Sequence, residues 1–153
     1  FNRGIRPAIN VGISVSRVGG NAQIKSMKKV AGTLKIDQAQ FRELEAFTKF
    51  GGDIDPVTAR VIDRGRKNER LLIQPQYQPW AVEDQVAVIF CGVNGLLGNV
   101  PVEKVAEFEK ALLQLLHAKY QDDVMTPIAQ GKLTDEVSEK LKAVATEVAA
   151  RYN

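Results

Sequence analysis

Apolar residues recur every three or four positions through most of the chain, which is the spacing of an amphipathic helix. The first such stretch follows residue 22 and contains Ile24, Met27, Val30, Ala31 and Leu34, then Phe41, Leu44, Phe47 and Phe50. It predicts one long helix or two consecutive helices, with a weak point between Gly32 and Asp37. Gly51 and Gly52 end the stretch.

Four later segments carry the same helical spacing. Asp55 before Pro56 is a typical helix start, with a capping acceptor and a proline at the first helical position. After a proline-punctuated linker at 74–79, helices are expected near 82–93, from Pro101 to about residue 120, and from Thr134 to the end of the chain. The prediction is a mainly α fold, with five or six antiparallel helices in a bundle.

Residues 7–16 show a different spacing of apolar residues. Ile9, Val11, Ile13 and Val15 alternate with small or polar residues, which is the two-residue period of a strand. A lone strand cannot pair its backbone, so the pattern indicates a short remnant of a larger sheet. The Gly19-Gly20-Asn21 sequence is expected to end this strand.

Composition and charge limit the number of domains and the class of protein that the chain can represent. The 153 residues suit one domain, with 44% hydrophobic and 25% charged positions as in globular proteins. The net charge is +3, yet seven basic residues and no acidic one precede Asp37, which suits an anionic partner. Membrane insertion is not expected, because no apolar run approaches the roughly 20 residues that a span requires. The start at Phe1 rather than Met suggests a piece of a longer protein.

The usual signs of catalysis or metal binding are weak. No phosphate-binding loop motif occurs, and Gly92, Gly95 and Gly98 follow a predicted helix, where glycine commonly ends it. Cys91, the only cysteine, is expected to be a small buried hydrophobe. His117, the only histidine, is interpreted as structural or exposed, since no metal ligand stands four residues later. The Asp122-Asp123 pair is expected to be solvated, and no metal site is predicted.

Two basic features have competing interpretations. Arg17, at the end of the predicted strand, could reach a phosphate with forked hydrogen bonds, although an ordinary surface arginine is favoured on spacing alone. Lys25, Lys28, Lys29 and Lys35 could form a nucleic-acid footprint. No aromatic residues are interleaved among them, so a solvated face or an acidic partner is favoured over nucleic acid.

The segment from Pro7 to Gly19, Pro-Ala-Ile-Asn-Val-Gly-Ile-Ser-Val-Ser-Arg-Val-Gly, resembles the signature segment of the alpha subunits of F-type rotary ATP synthases. Further matching stretches lie at 29–35, 39–43, 46–51, 74–77 and 83–90. The similarity covers about two thirds of the chain, and the last helices fit only in general layout.

The resemblance implies a domain organisation. Alpha subunits have an amino-terminal barrel, a central nucleotide-binding domain and a carboxy-terminal helical domain. Residues 1–21 would be the carboxy-terminal edge of the α/β nucleotide-binding domain, and residues 22–153 the helical domain. The phosphate-binding loop would lie upstream, so the chain would act as an enzyme only within the proton-translocating complex and be inactive alone.

The resemblance also implies roles for individual residues. Arg17 matches an arginine finger directed at the catalytic site on the beta subunit, and Ser14 matches a serine regarded as required for activity. Four positions match those that line the adenine end of the noncatalytic nucleotide site: Arg6, Pro7, Gln74 and Gln76. The sequence departs from the family at Gly20-Asn21 and at Pro75, which bears on how Gln76 is presented.

The implied ligands are ATP or ADP with Mg in the full complex, none of them held by this chain alone. The implied partners are the beta subunits, the central gamma stalk and the peripheral stalk with its delta subunit. The complex would be peripheral on an energy-transducing membrane, on the cytoplasmic side in a bacterium or the matrix side in a mitochondrion. The alternative is a stand-alone helical adaptor that binds an anionic partner through its basic amino-terminal stretch.

Overall fold

The computed structural model describes residues 6–48, 54–75 and 77–152, and within them it is built from helices. Phe50, Gly51, Gly52 and Gln76 lie outside the described residues. The helices are α1 Arg17–Ala22, α2 Lys25–Thr48, α3 Pro56–Leu71, α4 Val82–Val93, α5 Val105–Lys119, α6 Thr126–Ala129 and α7 Asp135–Ala149. Short 3-10 helices at Val102–Lys104 and Ala150–Tyr152 and a π-helical turn at Gln121–Met125 complete the fold. The predicted mainly α class is confirmed.

The first long segment forms a single helix. α2 continues without a break through Gly32 to Asp37. A glycine inside a helix costs only about 1 kcal/mol, which the packing of the same helix offsets. Met27, Val30, Leu34 and Phe41 supply that packing, since each is buried.

The predicted helix starts are confirmed by their hydrogen bonds. Asp55 Oδ1 accepts from the backbone N–H of Val57 at 2.8 Å and of Thr58 at 3.1 Å. Thr134 caps α7 in the same way, with its hydroxyl accepting from Val137 N–H at 3.3 Å. Both caps satisfy donors that the first turn of a helix leaves without partners.

The connection from α5 to α7 contains helical structure that the sequence did not predict. The π-helical turn widens the ladder, so that Met125 N–H donates to the Tyr120 carbonyl at 3.2 Å. It places Val124, Met125 and Ile128 in the core, where each is fully buried. Their burial offsets the poorer hydrogen bonding of the wide turn.

α4 lies at the centre of the bundle. Six successive residues from Val86 to Cys91 are all buried, so this helix is covered on every side. It contacts α2, α3, α6 and α7. Within the described residues, none of the helices combines the length and the apolar character of a membrane-spanning segment.

The strand prediction for residues 7–16 is wrong. This segment forms bends and turns, and Gly19-Gly20-Asn21, expected to break the chain, lies inside α1. A strand needs a neighbour for its backbone hydrogen bonds, and the described residues include no other strand. The segment instead rests on α2, where a Cβ at Gly12 would lie 3.0 Å from the backbone nitrogen of Ala39.

Candidate functional site

A cleft of about 200 Å³ lies where the amino-terminal turns meet α2 and the end of α3. The amino-terminal side contributes Pro7, Ile9, Asn10 and Val11. The helical side contributes Gln38, Arg42, Glu69, Leu72 and Gln74. The cleft therefore joins sequence segments about 30 residues and more apart, which the fold brings together.

Backbone and amide hydrogen bonds fix the walls of this cleft. The N–H of Gln74 donates to the carbonyl of Arg6 at 3.1 Å, which ties the amino-terminal segment to the end of α3. The side-chain amide of Gln38 donates to the Gly65 carbonyl at 3.1 Å and so links α2 to α3. Asn10 closes a local turn, because its Oδ1 accepts from the N–H of Gly12 at 3.1 Å.

Arg42 is the cation of the cleft, and its charge is already balanced. Its Nη2 forms an ion pair with Glu69, and its Nη1 donates to Glu45 Oε2 at 3.3 Å. Its guanidinium also lies over the ring of Phe41, 5.6 Å from the ring centroid. Because two carboxylates already neutralise its guanidinium, Arg42 attracts a phosphate only weakly.

The lining suits a flat heteroaromatic ring. Pro7, Ile9, Val11 and Leu72 supply apolar surface, while the amide of Gln74 can both donate and accept hydrogen bonds. The volume lies below the range of about 300–1,000 Å³ that holds a complete drug-sized ligand. The residues present fit the base of a nucleotide, and the one carboxylate of the lining, Glu69, is paired with Arg42.

The structure brings together three of the four residues expected at an adenine end: Arg6, Pro7 and Gln74. Gln76 lies outside the described residues. Sequence reasoning did not find Gln38 and Arg42. They are four residues apart in α2 and so share one face of that helix, a signal that becomes useful only once the neighbouring segment is known.

Arg17 and Ser14 do not line this cleft. Arg17 is the first residue of α1 and is exposed, following Ser16, whose hydroxyl accepts from the Gly19 N–H at 3.0 Å. Among the described residues, no carboxylate pairs with Arg17. Ser14 is also exposed, and its N–H donates to the Asn10 carbonyl at 2.9 Å.

The remaining candidates have structural surroundings. Cys91 is fully buried, as predicted, and burial raises the pKa of its thiol to about 12. His117 is exposed and joins two elements, with Nε2 2.6 Å from Asp84 Oδ1 and Nδ1 2.7 Å from Gln121 Oε1. Asp123 pairs with Lys140 at 3.3 Å. Within the described part of the chain, no three metal-binding side chains cluster.

The sequence model of one family, described as "ATP synthase alpha/beta chain, C terminal domain", matches residues 23–148. The match covers most of the chain, from just before α2 into the last turn of α7. The chain belongs to this family.

Three relatives of this ATP synthase alpha/beta carboxy-terminal domain share the same name. "ATP synthase subunit alpha" from Azobacteroides pseudotrichonymphae is 61% identical over 99% of the chain. The proteins of the same name from Phocaeicola vulgatus and Flavobacterium johnsoniae are 60% and 58% identical over 99% and 100% of the chain. In each case the chain spans 29% of the relative's length. The resemblance to alpha subunits found in the sequence is confirmed.

Proposed function

We propose that the chain is the carboxy-terminal part of an ATP synthase alpha subunit and acts in ATP synthesis coupled to proton transport, or in the reverse hydrolysis. The identity of about 60% to proteins of that name over nearly the whole chain carries this proposal. Residues 1–21 would belong to the edge of the nucleotide-binding domain, and residues 22–153 would form the helical domain. The complex would be peripheral on its membrane, on the cytoplasmic or matrix side.

Arg17 is proposed to act as an arginine finger at the catalytic site of a neighbouring beta subunit. Its exposure at the first position of α1, with no carboxylate paired to it among the described residues, supports this role. A planar guanidinium can form two parallel hydrogen bonds to phosphate oxygens and balance the charge of the transition state. Ser14, three residues earlier, is proposed to help hold the exposed segment that carries Arg17.

The test is Arg17→Ala in the complete assembly. Arginine fingers contribute about 10³–10⁵ in turnover, so steady-state ATP hydrolysis should fall by at least about 10³. Nucleotide binding, measured by equilibrium titration, should stay within a few fold of the unmodified assembly, because the finger acts on the transition state. Arg17→Lys should lose most of the activity too, since an ammonium group lacks the forked geometry.

Arg151→Ala is the matched control, because Arg151 is also an exposed arginine but pairs with Glu147 at 3.0 Å on the same helical surface. It should hydrolyse ATP normally. Near-normal turnover by the Arg17→Ala assembly would remove the finger role, whereas loss of activity in both variants would point to assembly rather than chemistry.

The cleft between the amino-terminal turns and α3 is proposed to receive the adenine end of a noncatalytic nucleotide, ATP or ADP with Mg. Pro7 and Gln74 line this cleft, and Arg6 is held beside them because its carbonyl accepts from the Gln74 N–H. Gln76, which the resemblance also assigns to the nucleotide, lies outside the described residues. The apolar surface and the amide of Gln74 support a base there. The phosphates and the metal would be held by the phosphate-binding loop of the same subunit, upstream of these residues.

The proposed partners are the beta subunits, the central gamma stalk and the peripheral stalk with its delta subunit.

We expect the isolated chain to show no ATP hydrolysis above background. The reason is that a nucleotide base cleft without a phosphate-binding loop cannot orient the reacting phosphates. The measurement is phosphate release by the purified chain, with a preparation of the Arg17→Ala chain as the control for contaminating ATPases. Turnover that depends on Arg17 in the chain alone would contradict this expectation.

The adaptor alternative rests on the basic amino-terminal stretch, whose lysines lie on α2. The ammonium group of Lys29 donates to the Leu133 carbonyl at 3.1 Å, so one lysine of the stretch is engaged within the fold. Lys25 and Lys28 stay exposed. If the alternative holds, a gel shift with nucleic acid should weaken steeply as salt rises, because binding would release counterions.

A further inference from the structure

One face of α5 contains a carboxylic acid where the helical pattern calls for an apolar residue. Val105, Phe108, Leu112 and Leu116 are fully buried, and Glu109 lies in the same stripe with only 8% of its surface exposed. Among the described residues, Glu109 has no hydrogen-bond or ion-pair partner. The carboxyl oxygens of Glu109 are not sealed in the interior, so the group is desolvated by its apolar surroundings and is still open to an incoming hydrogen-bond donor.

Glu109 lines an open groove of about 740 Å³ between the start of α4 and the outer side of α5. Trp80, Asp84 and Leu113 line the same groove. A nearly buried acid, a second acid, an aromatic ring and an aliphatic side chain therefore share one surface depression, which Lys110 and His117 also line.

The groove residues are held in place before anything binds. Asp84 is fixed by its 2.6 Å contact with His117 Nε2, which leaves its second oxygen to accept another hydrogen bond. The backbone of Trp80 is fixed because its carbonyl accepts from the side-chain amide of Gln85 at 2.8 Å. Trp80 also packs against the core while remaining partly exposed. Such preorganisation lowers the entropic cost of binding.

These groups together match the chemistry of an arginine side chain. A guanidinium can donate two hydrogen bonds to a carboxylate while its flat face stacks on an indole ring. An ammonium group lacks the planar face. A metal ion fits poorly, because within the described residues no three metal-binding side chains come together.

We propose that this groove, defined by Trp80, Asp84, Glu109 and Leu113, binds an arginine side chain of a partner polypeptide. Glu109 and Asp84 accept hydrogen bonds from the guanidinium, Trp80 stacks on it, and Leu113 contacts the aliphatic stem. Burial raises the pKa of Glu109 to about 8 in the chain alone, so an incoming cation also favours loss of the Glu109 proton.

The experiment uses short blocked peptides, Leu-Arg-Leu and a matched peptide with citrulline in place of arginine. Citrulline keeps the shape and removes the charge. Trp80 is the only tryptophan of the chain, so its fluorescence and its indole N–H resonance report directly on the groove. We expect saturable binding of the arginine peptide, at least tenfold tighter than binding of the citrulline peptide and of a lysine peptide.

Variants assign the binding to these residues. Glu109→Gln keeps the shape of the side chain and should weaken binding of the arginine peptide at least tenfold, and Asp84→Asn should weaken it too. Glu103→Gln, which removes an exposed carboxyl just before α5, should leave binding unchanged. Lys110→Ala removes a cation from the groove lining and should leave binding unchanged or tighten it. Circular dichroism of each variant checks that it folds.

Three results would overturn the groove as a site for a cation, and a fourth would overturn its assignment to arginine. The three are the absence of saturable binding by the arginine peptide, equal binding of the arginine and citrulline peptides, and unchanged binding in both Glu109→Gln and Asp84→Asn. Equal binding of the lysine peptide would contradict the stacking on Trp80 and with it the assignment to arginine.

Discussion

Glu109 makes the stability of the helical domain depend on pH in a defined direction. Burial raises its pKa from the ordinary value of 4.5 to about 8. Between these values the folded chain keeps a proton that the unfolded chain releases, so the free energy of unfolding falls as pH rises from about 4.5 to about 8. The slope from this one group is at most about 1.4 kcal/mol per pH unit. Urea denaturation of the wild type and Glu109→Gln across this range should show the slope reduced in the variant.

His117 makes the free energy of unfolding depend on pH over a second range. Its pKa is raised by hydrogen bonding to Gln121 and by Asp84. Its stabilisation is therefore complete below the ordinary value of 6.5 and is lost as pH rises through the higher folded value. From about pH 4.5 to 6.5 only Glu109 acts, so Glu109→Gln should remove the fall there, and between 6.5 and about 8 it should leave a shallower fall that belongs to His117. Identical curves for the wild type and Glu109→Gln below that pH would contradict the assignment to Glu109.

At the scale of helices, α3 crosses α2 at a point where only glycine fits. A Cβ added at Gly65 would overlap Cγ of the fully buried Phe41 ring. We expect Gly65→Ala to destabilise the chain by about 1–3 kcal/mol or more, because overpacking forces the ring or the helices apart. The measurement is the midpoint of urea unfolding at fixed pH.

Gly32→Ala is the matched control within the same helix pair. An added Cβ at Gly32 meets nothing within 4 Å, and the residue is exposed in the middle of α2. It should stabilise the chain by about 0.4–1 kcal/mol, because alanine restricts the unfolded chain and favours helix. If Gly65→Ala were as stable as Gly32→Ala, α2 and α3 could not cross as closely as the structure has them.

The helices with local signals were predictable, and the contacts between them were not. Asp55 and Pro56 begin α3 as expected, because a cap depends on neighbours in sequence. The strand prediction for 7–16 is wrong because a strand depends on partners elsewhere. The residues of the candidate cleft divide in the same way, into those that sequence indicated and those that only packing brings in. Resemblance pointed to Pro7 and Gln74, which line one cleft, while Arg42 joins it only through the packing of α2.

The whole molecule combines a covered core with an uncovered amino-terminal segment. α4 is buried on all sides, whereas Ile13, Val15 and Val18 are 75%, 81% and 82% exposed. Apolar side chains this closely spaced and this exposed are typical of a surface that contacts another part of a protein. Since the chain spans 29% of the length of its relatives, we expect the rest of the subunit to cover this segment.

Replacing Ile13 and Val15 together by serine tests that expectation. In the isolated chain the double variant should unfold within about 0.5 kcal/mol of the wild type, because both side chains are already exposed. In the full-length subunit the same change should lower stability by about 2 kcal/mol or more, since it removes buried apolar surface. Thermal unfolding of both forms measures the difference, with Val57→Ser, at 67% exposure in α3, as a control that should change neither. Equal, small effects in both forms would mean that Ile13 and Val15 stay in water in the complete subunit, and the segment carrying Arg17 would then lack the rigid support that an arginine finger requires.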